Sequence, residues 1–220
     1  MILAAGRGER MRPLTDTMCK PLVPVRGVPL IEHHINELVA IGVRHIVINV
    51  SYLAEQLMQT LGLGERFGCE LIYSMEREPL ESGGGVATAS AHFRSAAVIV
   101  VSADVYSEFD YARLLPHVHA IEKGAASAHF VLVKPTPGEP GGEFALDADG
   151  RVHSGQPRLT LANIAVLAAE PCRTLPRGER FKLLPHYQQW VDSGTVTGEL
   201  FTGLWRNVTT VADVEILNLS

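Results

Sequence analysis

Gly6, Arg7, Gly8, Arg10, Arg12 and Lys20 stand close together at the start of the chain, directly after the apolar run MILAA (1–5). The run reads as a short buried strand, and the glycines permit backbone angles and close approaches that a side chain would obstruct. Such a turn presents free N–H groups to phosphate oxygens, and Arg10 and Lys20 add charge-assisted hydrogen bonds. The chemistry on offer is capture of a small anion. From the glycine pair alone, a strand-to-loop turn with solvated arginines fits equally well. Two known phosphate motifs are excluded. No Gly-Lys-Ser/Thr follows at Walker spacing, and Met11 occupies the place of the third glycine in the dinucleotide fingerprint.

Further along, Asp104 ends the apolar run AAVIVVSAD (96–104). A carboxylate there is costly unless paired or bound to a cation, and a cap or surface turn is the competing reading. The stretch ESGGG (81–85) precedes a predicted helix. Its glycines either admit a flat ring against the backbone or simply turn the chain into the helix. Lys182 falls at another predicted helix start, which the helix dipole does not favour for a cation, so it is either functional or an exposed surface lysine. His33 and His34 are adjacent on a predicted helix and cannot share a metal, so one is expected packed and the other exposed. DADG (147–150) lacks the rest of a calcium-binding loop and reads as a hairpin turn.

These groups need a scaffold. Residues 30–41 carry apolar side chains at helical spacing and 45–50 (HIVINV) form a β-branched strand. Helix 53–61, strand 69–75, helix 84–93 and strand 96–104 continue the alternation, which predicts a mostly parallel sheet with helices on both faces. Ligands of such sheets bind beyond the carboxyl ends of the strands, so residues 6–12, 76–85 and 102–105 should meet. In the second half, 127–135, 143–155 and 159–169 read as strands, and 182–194 as a helix tolerating Pro185 in its first turn. Residues 199–208 and 211–219 read as a last strand and helix, and the run 136–142, rich in proline and glycine, as a mobile loop. With neither repeat nor linker, a single domain over 1–220 is expected.

Composition bounds the class. The chain has 220 residues, 46% of them apolar, enough for a globular core. No apolar stretch reaches membrane-span length, and the start lacks the pattern of a secretory signal. Three widely spaced cysteines, Cys19, Cys69 and Cys172, fit a reducing compartment, with Cys69 read as buried packing. A net charge of -5 argues against a nucleic-acid surface. A soluble cytoplasmic protein with neither membrane nor nucleic-acid partner is expected.

The longer pattern is more specific. LAAGRGERMRPLT (3–15) followed by KPLVPVRGVPLIEH (20–33) resembles the signature of the sugar-phosphate nucleotidyltransferases. The resemblance continues through EPLESGGG (78–85), SADVY (102–106), FKLLP (181–185) and GLWRNVTT (203–210), and so covers nearly the whole chain. It implies a three-layer, Rossmann-like and GT-A-like α/β fold with a mostly parallel mixed central sheet. A nucleotide-binding half over about 1–110 and a sugar-binding half over about 111–220 are implied with it. The reaction implied is attack of a sugar 1-phosphate oxygen on the α-phosphate of a nucleoside triphosphate, with loss of pyrophosphate. Its physical demands are positioning, charge neutralisation and metal bridging.

By that resemblance Leu3, Ala4, Ala5, Gly6, Gly8, Glu9, Arg10 and Lys20 hold the triphosphate, and Glu81, Gly83 and Gly84 meet the base. Arg10, Lys20 and Asp104 are the catalytic residues, Asn163 and Lys182 contact the sugar phosphate, and Asp104 with Asn207 holds Mg²⁺. For Asn163, a buried strand asparagine bonded to backbone is the equal alternative. Within the family the likeness is greatest to bacterial N-acetylmuramate 1-phosphate uridylyltransferases of cell-wall recycling. That likeness implies UTP as the nucleotide, with mannose or glucose 1-phosphate transfer and a catalytically weak regulatory binder as alternatives.

The chain also departs from the family. The family's W-x-D-V-G-T reads Trp205, Arg206, Asn207, Val208, Thr209, Thr210, which removes one negative charge from the metal site and adds bulk at Thr209. Ala103 replaces a more usual glycine. The chain starts at its first strand, without the residues that usually precede it, as a shortened start would. Its length leaves little room for an added carboxyl-terminal domain, and a monomer or simple homodimer is expected.

Overall fold

The β-branched runs pair into one seven-stranded sheet. The computed structural model describes residues 1–135 and 141–219, so the loop expected over 136–142 lies outside the described residues except for Gly141 and Gly142. The first half contains β1 (Ile2–Leu3), β2 (Pro24–Val25), β3 (Val28–Pro29), α1 (Leu30–Ala40), β4 (His45–Val50), α2 (Ala54–Leu61), β5 (Glu70–Met75), α3 (Glu81–Ala89), β6 (Ala97–Ser102) and β7 (Val105–Ser107). The second contains α4 (Leu115–Glu122), β8 (Ala128–Val133), β9 (Ala145–Leu146), β10 (Val152–His153), β11 (Thr160–Ala168), α5 (Ala169–Arg173), α6 (Leu184–Asp192), β12 (Val196–Leu200), β13 (Trp205–Asn207) and α7 (Val211–Leu219).

The sheet order is β12-β8-β11-β6-β1-β4-β5, with β11 antiparallel to both neighbours and the remaining pairs parallel. Alternation along β4 shows why it is covered on both sides: Ile46, Ile48 and Val50 join the core under α1, α2 and α4, while Val47 joins the core under α3, α5 and α6. The expected mostly parallel, two-sided sheet is borne out.

Several expectations need correction. β1 stops at Leu3 because Ala4 leaves the ladder and its N–H donates to Asn49 Oδ1 at 2.9 Å. α3 starts at Glu81, so the glycines lie inside the helix and not before it. The last strand splits: β12 pairs with β8, while β13 crosses to pair with β7. α6 starts at Leu184, leaving Lys182 in the preceding loop, where Leu183 N donates to Ser82 Oγ at 3.0 Å. Cys69 is only half-buried, whereas Cys19 and Cys172 are buried. His34 is buried between the Tyr111 hydroxyl and the Val105 carbonyl. His33 is half-covered against Tyr106, not exposed. The DADG turn is as expected, with Asp147 Oδ1 accepting from Asp149 N and Arg151 N.

The glycines of α3 are required by packing. A Cβ on Gly84 would run into the Glu179 carbonyl oxygen and stand 2.7 Å from the Leu80 Cβ; one on Gly83 would enter the Phe181 ring. In a helix free of such contact, alanine is favoured over glycine by about 1 kcal/mol. Here Gly84→Ala is expected to lower stability by about 3 kcal/mol, or about 6–12 °C in Tm. Thermal unfolding by circular dichroism checks this, and a raised Tm would show that residues 179–181 do not rest on α3.

Candidate active site

Beyond the carboxyl ends of β1, β4 and β6 lies a cavity of about 660 Å³. The three segments expected to meet do so: Leu3 to Arg10, Pro79 with Glu81 and Ser82, and Ser102 to Asp104 all line it, together with Lys20, Asn49, Arg180 and Thr209. Leu3, Ala4, Ala5, Gly6, Gly8, Glu9, Arg10, Lys20, Glu81 and Asp104 are thus brought together. Gly83 and Gly84 do not line the cavity; their N–H groups donate to the Phe181 carbonyl at 2.9 and 3.3 Å.

The glycine turn owes its shape to two local constraints. Gly8 has a φ of +70°, a conformation that favours glycine, and a Cβ there would press on the Lys20 stem at 3.1 Å. The Thr15 hydroxyl donates to the Gly8 carbonyl at 2.8 Å and so fixes the turn over Lys20. Lys20 is buried along its stem, and its Nζ donates to Asp104 Oδ2 at 2.7 Å. The cation and the carboxylate that the resemblance assigns to separate partners therefore hold each other.

Behind the turn, Asn49 bridges two walls. Its Oδ1 accepts from Ala4 N, its Nδ2 donates to Glu76 Oε1 at 2.7 Å, and Glu76 Oε2 accepts from Leu80 N at 2.9 Å. Burial raises the Glu76 pKa above the usual carboxylate range, with the bonds from Asn49 and Leu80 opposing. Gly85 leaves room for this bridge, since a Cβ on it would stand 2.6 Å from Asn49 Nδ2. Glu81, in the left-handed region at φ +62°, faces the cavity and accepts from Arg180 Nη2 at 3.1 Å.

A second cavity of about 270 Å³ adjoins the first through Leu3, Ser82 and Ser102. Asn163 lines it, at φ +58° where the register between β11 and β8 shifts, as do Glu143 and Tyr187. Lys182 is exposed and lines neither cavity. Thr209, expected to add bulk beside the metal site, lines the larger cavity, whereas Asn49 and Arg180 escaped sequence reasoning. Only Asn49 carried a signal, as a polar residue inside an apolar strand.

Residues 1–154 match the model of the nucleotidyl transferase family. An N-acetylmuramate alpha-1-phosphate uridylyltransferase of Neisseria meningitidis is 38% identical over 96% of this chain and 93% of its own. A protein of the same description from Caulobacter vibrioides is 33% identical over 94% and 90%. The chain belongs to the nucleotidyl transferase family. A Bacillus anthracis structure, provisionally described as a glucose-1-phosphate thymidylyltransferase in complex with a sucrose, superposes with a TM-score of 0.85 at 18% identity. It covers 99% of this chain and 92% of that one, which bears out the expected three-layer fold.

In this nucleotidyltransferase the altered segment 205–210 packs against Asp104: Val208 N donates to the Asp104 carbonyl at 2.7 Å. Asn207 lines neither cavity, and its Oδ1 is buried with no hydrogen-bond partner among the described residues. The segment is held by Asp213 in the first turn of α7. Asp213 Oδ2 accepts from Thr209 N, Thr210 N and both threonine hydroxyls, and Oδ1 accepts from Arg206. Thr210 and Asp213 thus cap the helix in the manner of a capping box.

Burial alone would raise the Asp213 pKa, but the Thr209, Thr210 and Arg206 donors reverse this and hold it at about 2, below the ordinary 3.8. The stability it contributes is therefore present above about pH 4 and lost as pH falls toward about 2. Asp213→Asn should be less stable than wild type at neutral pH, with the difference closing between about pH 4 and 2. Urea unfolding at each pH reads it, and a difference unchanged with pH would refute the charged cap.

Proposed function

We propose that this protein transfers a uridylyl group from UTP to a sugar 1-phosphate, most directly N-acetylmuramate 1-phosphate, with release of pyrophosphate. The observation that carries the reading is a pair of joined cavities: the larger lined by Arg10, Lys20 and Asp104, the smaller by Asn163. A triphosphate and a sugar phosphate placed in them would meet near Ser102, two residues from Asp104. The full-length likeness to the Neisseria protein supports the choice of sugar and base.

In this reading the sugar phosphate oxygen forms a bond to the α-phosphorus while the bond to the bridging oxygen of pyrophosphate breaks. Arg10, Lys20 and the N–H groups of the glycine turn hold the triphosphate and offset its charge. Glu81 reads the base edge, and Asn163 orients the sugar. Lys182, exposed just before α6 and beside Leu183, whose N–H donates to Ser82 of the shared cavity wall, is the residue that the resemblance assigns to the sugar phosphate.

Mg²⁺ fits the donor set: the Asp104 carboxylate and the unpartnered Asn207 Oδ1 belong to segments joined by a backbone hydrogen bond, and both are hard oxygen donors. When bound, the ion would neutralise charge gathering on the phosphates. Before that, Lys20 covers the Asp104 carboxylate. Lys20→Met is expected to raise the nucleotide-free affinity for Mn²⁺ by about tenfold or more, since an adjacent cation opposes a second one. Electron paramagnetic resonance of free Mn²⁺ reads this directly, and an unchanged affinity would remove Asp104 from the metal site.

The decisive assay is pyrophosphate release from UTP and Mg²⁺ with N-acetylmuramate, glucose or mannose 1-phosphate. Release with the muramate substrate, falling at least about 100-fold in Asp104→Ala, is expected. Preference for another sugar or for GTP would move the specificity to the mannose or glucose alternative. UTP binding without release for any sugar would favour a regulatory binder, the reading that Asn207 in place of an acid keeps open.

A further inference from the structure

Away from both cavities, a second polar cluster joins helix to sheet. Strand alternation puts His129 of β8 with Thr197 and Glu199 of the edge strand β12 on the face that α4 covers, where it presents His117. His129 is 1% exposed, an unusual place for an imidazole without a dedicated partner. Its Nδ1 is engaged with Thr197 Oγ1 at 2.9 Å, which leaves Nε2 directed at Glu199 Oε1, 3.4 Å away. That is long for a hydrogen bond between ionised partners but matches the edge of a tetrahedron about a zinc ion, about 3.3–3.4 Å for bonds near 2.05 Å. Glu199 divides its oxygens: Oε2 is bonded by Arg113 and Oε1 faces the imidazole. One donor atom from each of His117, His129 and Glu199 lies within 4.8 Å of the others.

We propose that His117, His129 and Glu199 form a binding site for a borderline divalent transition metal such as Zn²⁺, separate from the catalytic carboxylate and tying α4 to β8 and β12. Two imidazoles and one carboxylate suit zinc and disfavour Mg²⁺, which takes oxygen donors. The Thr197 contact at Nδ1 holds the His129 ring with Nε2 toward Glu199. With its own hydroxyl proton on the Ala128 carbonyl at 3.5 Å, Thr197 accepts Nδ1–H and leaves the Nε2 lone pair for a metal, the part an outer partner plays at metal sites. Burial and the neighbouring His129 lower the His117 pKa, with Glu199 opposing, a shift in the direction that favours the neutral, ligating ring. The two rings stack at 3.4 Å and 10°, and no ion lies in both planes of a parallel pair. Binding therefore turns the half-buried His117 ring while His129 stays fixed.

The test uses the full chain in excess Mg²⁺, with Zn²⁺ affinity measured by competition with a chromophoric chelator and site geometry by the visible bands of Co²⁺. Wild type and Asp104→Ala are expected to take up a single Zn²⁺ with intense, tetrahedral-type Co²⁺ bands. Thr197→Val should weaken binding by about tenfold, and His117→Ala, a half-buried position, by at least about 100-fold with its circular dichroism unchanged. Absence of Zn²⁺ uptake by wild type, or uptake lost in Asp104→Ala but kept in His117→Ala, would overturn the site. Neither readout depends on nucleotidyl transfer.

Discussion

A buried amide, Asn49, holds the walls of the active-site cavity together. It accepts the Ala4 N–H where the backbone leaves β1 and donates to Glu76, which in turn accepts the N–H of Leu80 just before α3. Ala4, Asn49 and Glu76 are buried and the Leu80 bond is partly so, and leaving a buried member of the bridge unpaired costs about 1–3 kcal/mol. The glycine turn, the end of β5 and the start of α3 are thereby fixed relative to one another by two side chains, Asn49 and Glu76. Gly85 belongs to the same arrangement, because only a residue without a Cβ lets α3 pass so close to the bridge.

On that frame sits the Lys20–Asp104 pair. A lysine and a carboxylate of opposite duty stand at 2.7 Å, the lysine side chain 9% exposed and the aspartate 35%. Without ligand the pair satisfies both charges at modest desolvation cost. In the function proposed above, a bound polyanion would give the ammonium a second partner and release the carboxylate to a cation, keeping the cavity near charge neutrality by exchange of partners. The segment that carries Asn207 is held beside this pair by the Asp213 cap, remote from the cavity yet setting its rim at Thr209.

Much of the scaffold is legible in the amino-acid order. The strand HIVINV and the helix from Leu30 follow from a two-residue and a 3.6-residue period, because burial on one or both faces leaves that imprint locally. Periodicity fails where the deciding contact is distant. The ESGGG stretch reads as a turn by its glycines, yet it is helical because residues 179–181 need their backbone close to α3. Residues 199–208 read as one strand because nothing in their order records that β12 and β13 pair with different partners.

The same division holds for the sites. Fold class, family and the cation-rich glycine turn can be read from the chain directly, since each is written in residues adjacent along it. Folding in three dimensions is what brings Lys20 onto Asp104, commits Gly83 and Gly84 to packing, leaves Lys182 outside both cavities, and gathers His117, His129 and Glu199. Those contacts join residues far apart in the chain, and their distances are set by strand order and helix packing, which no local pattern of side chains encodes.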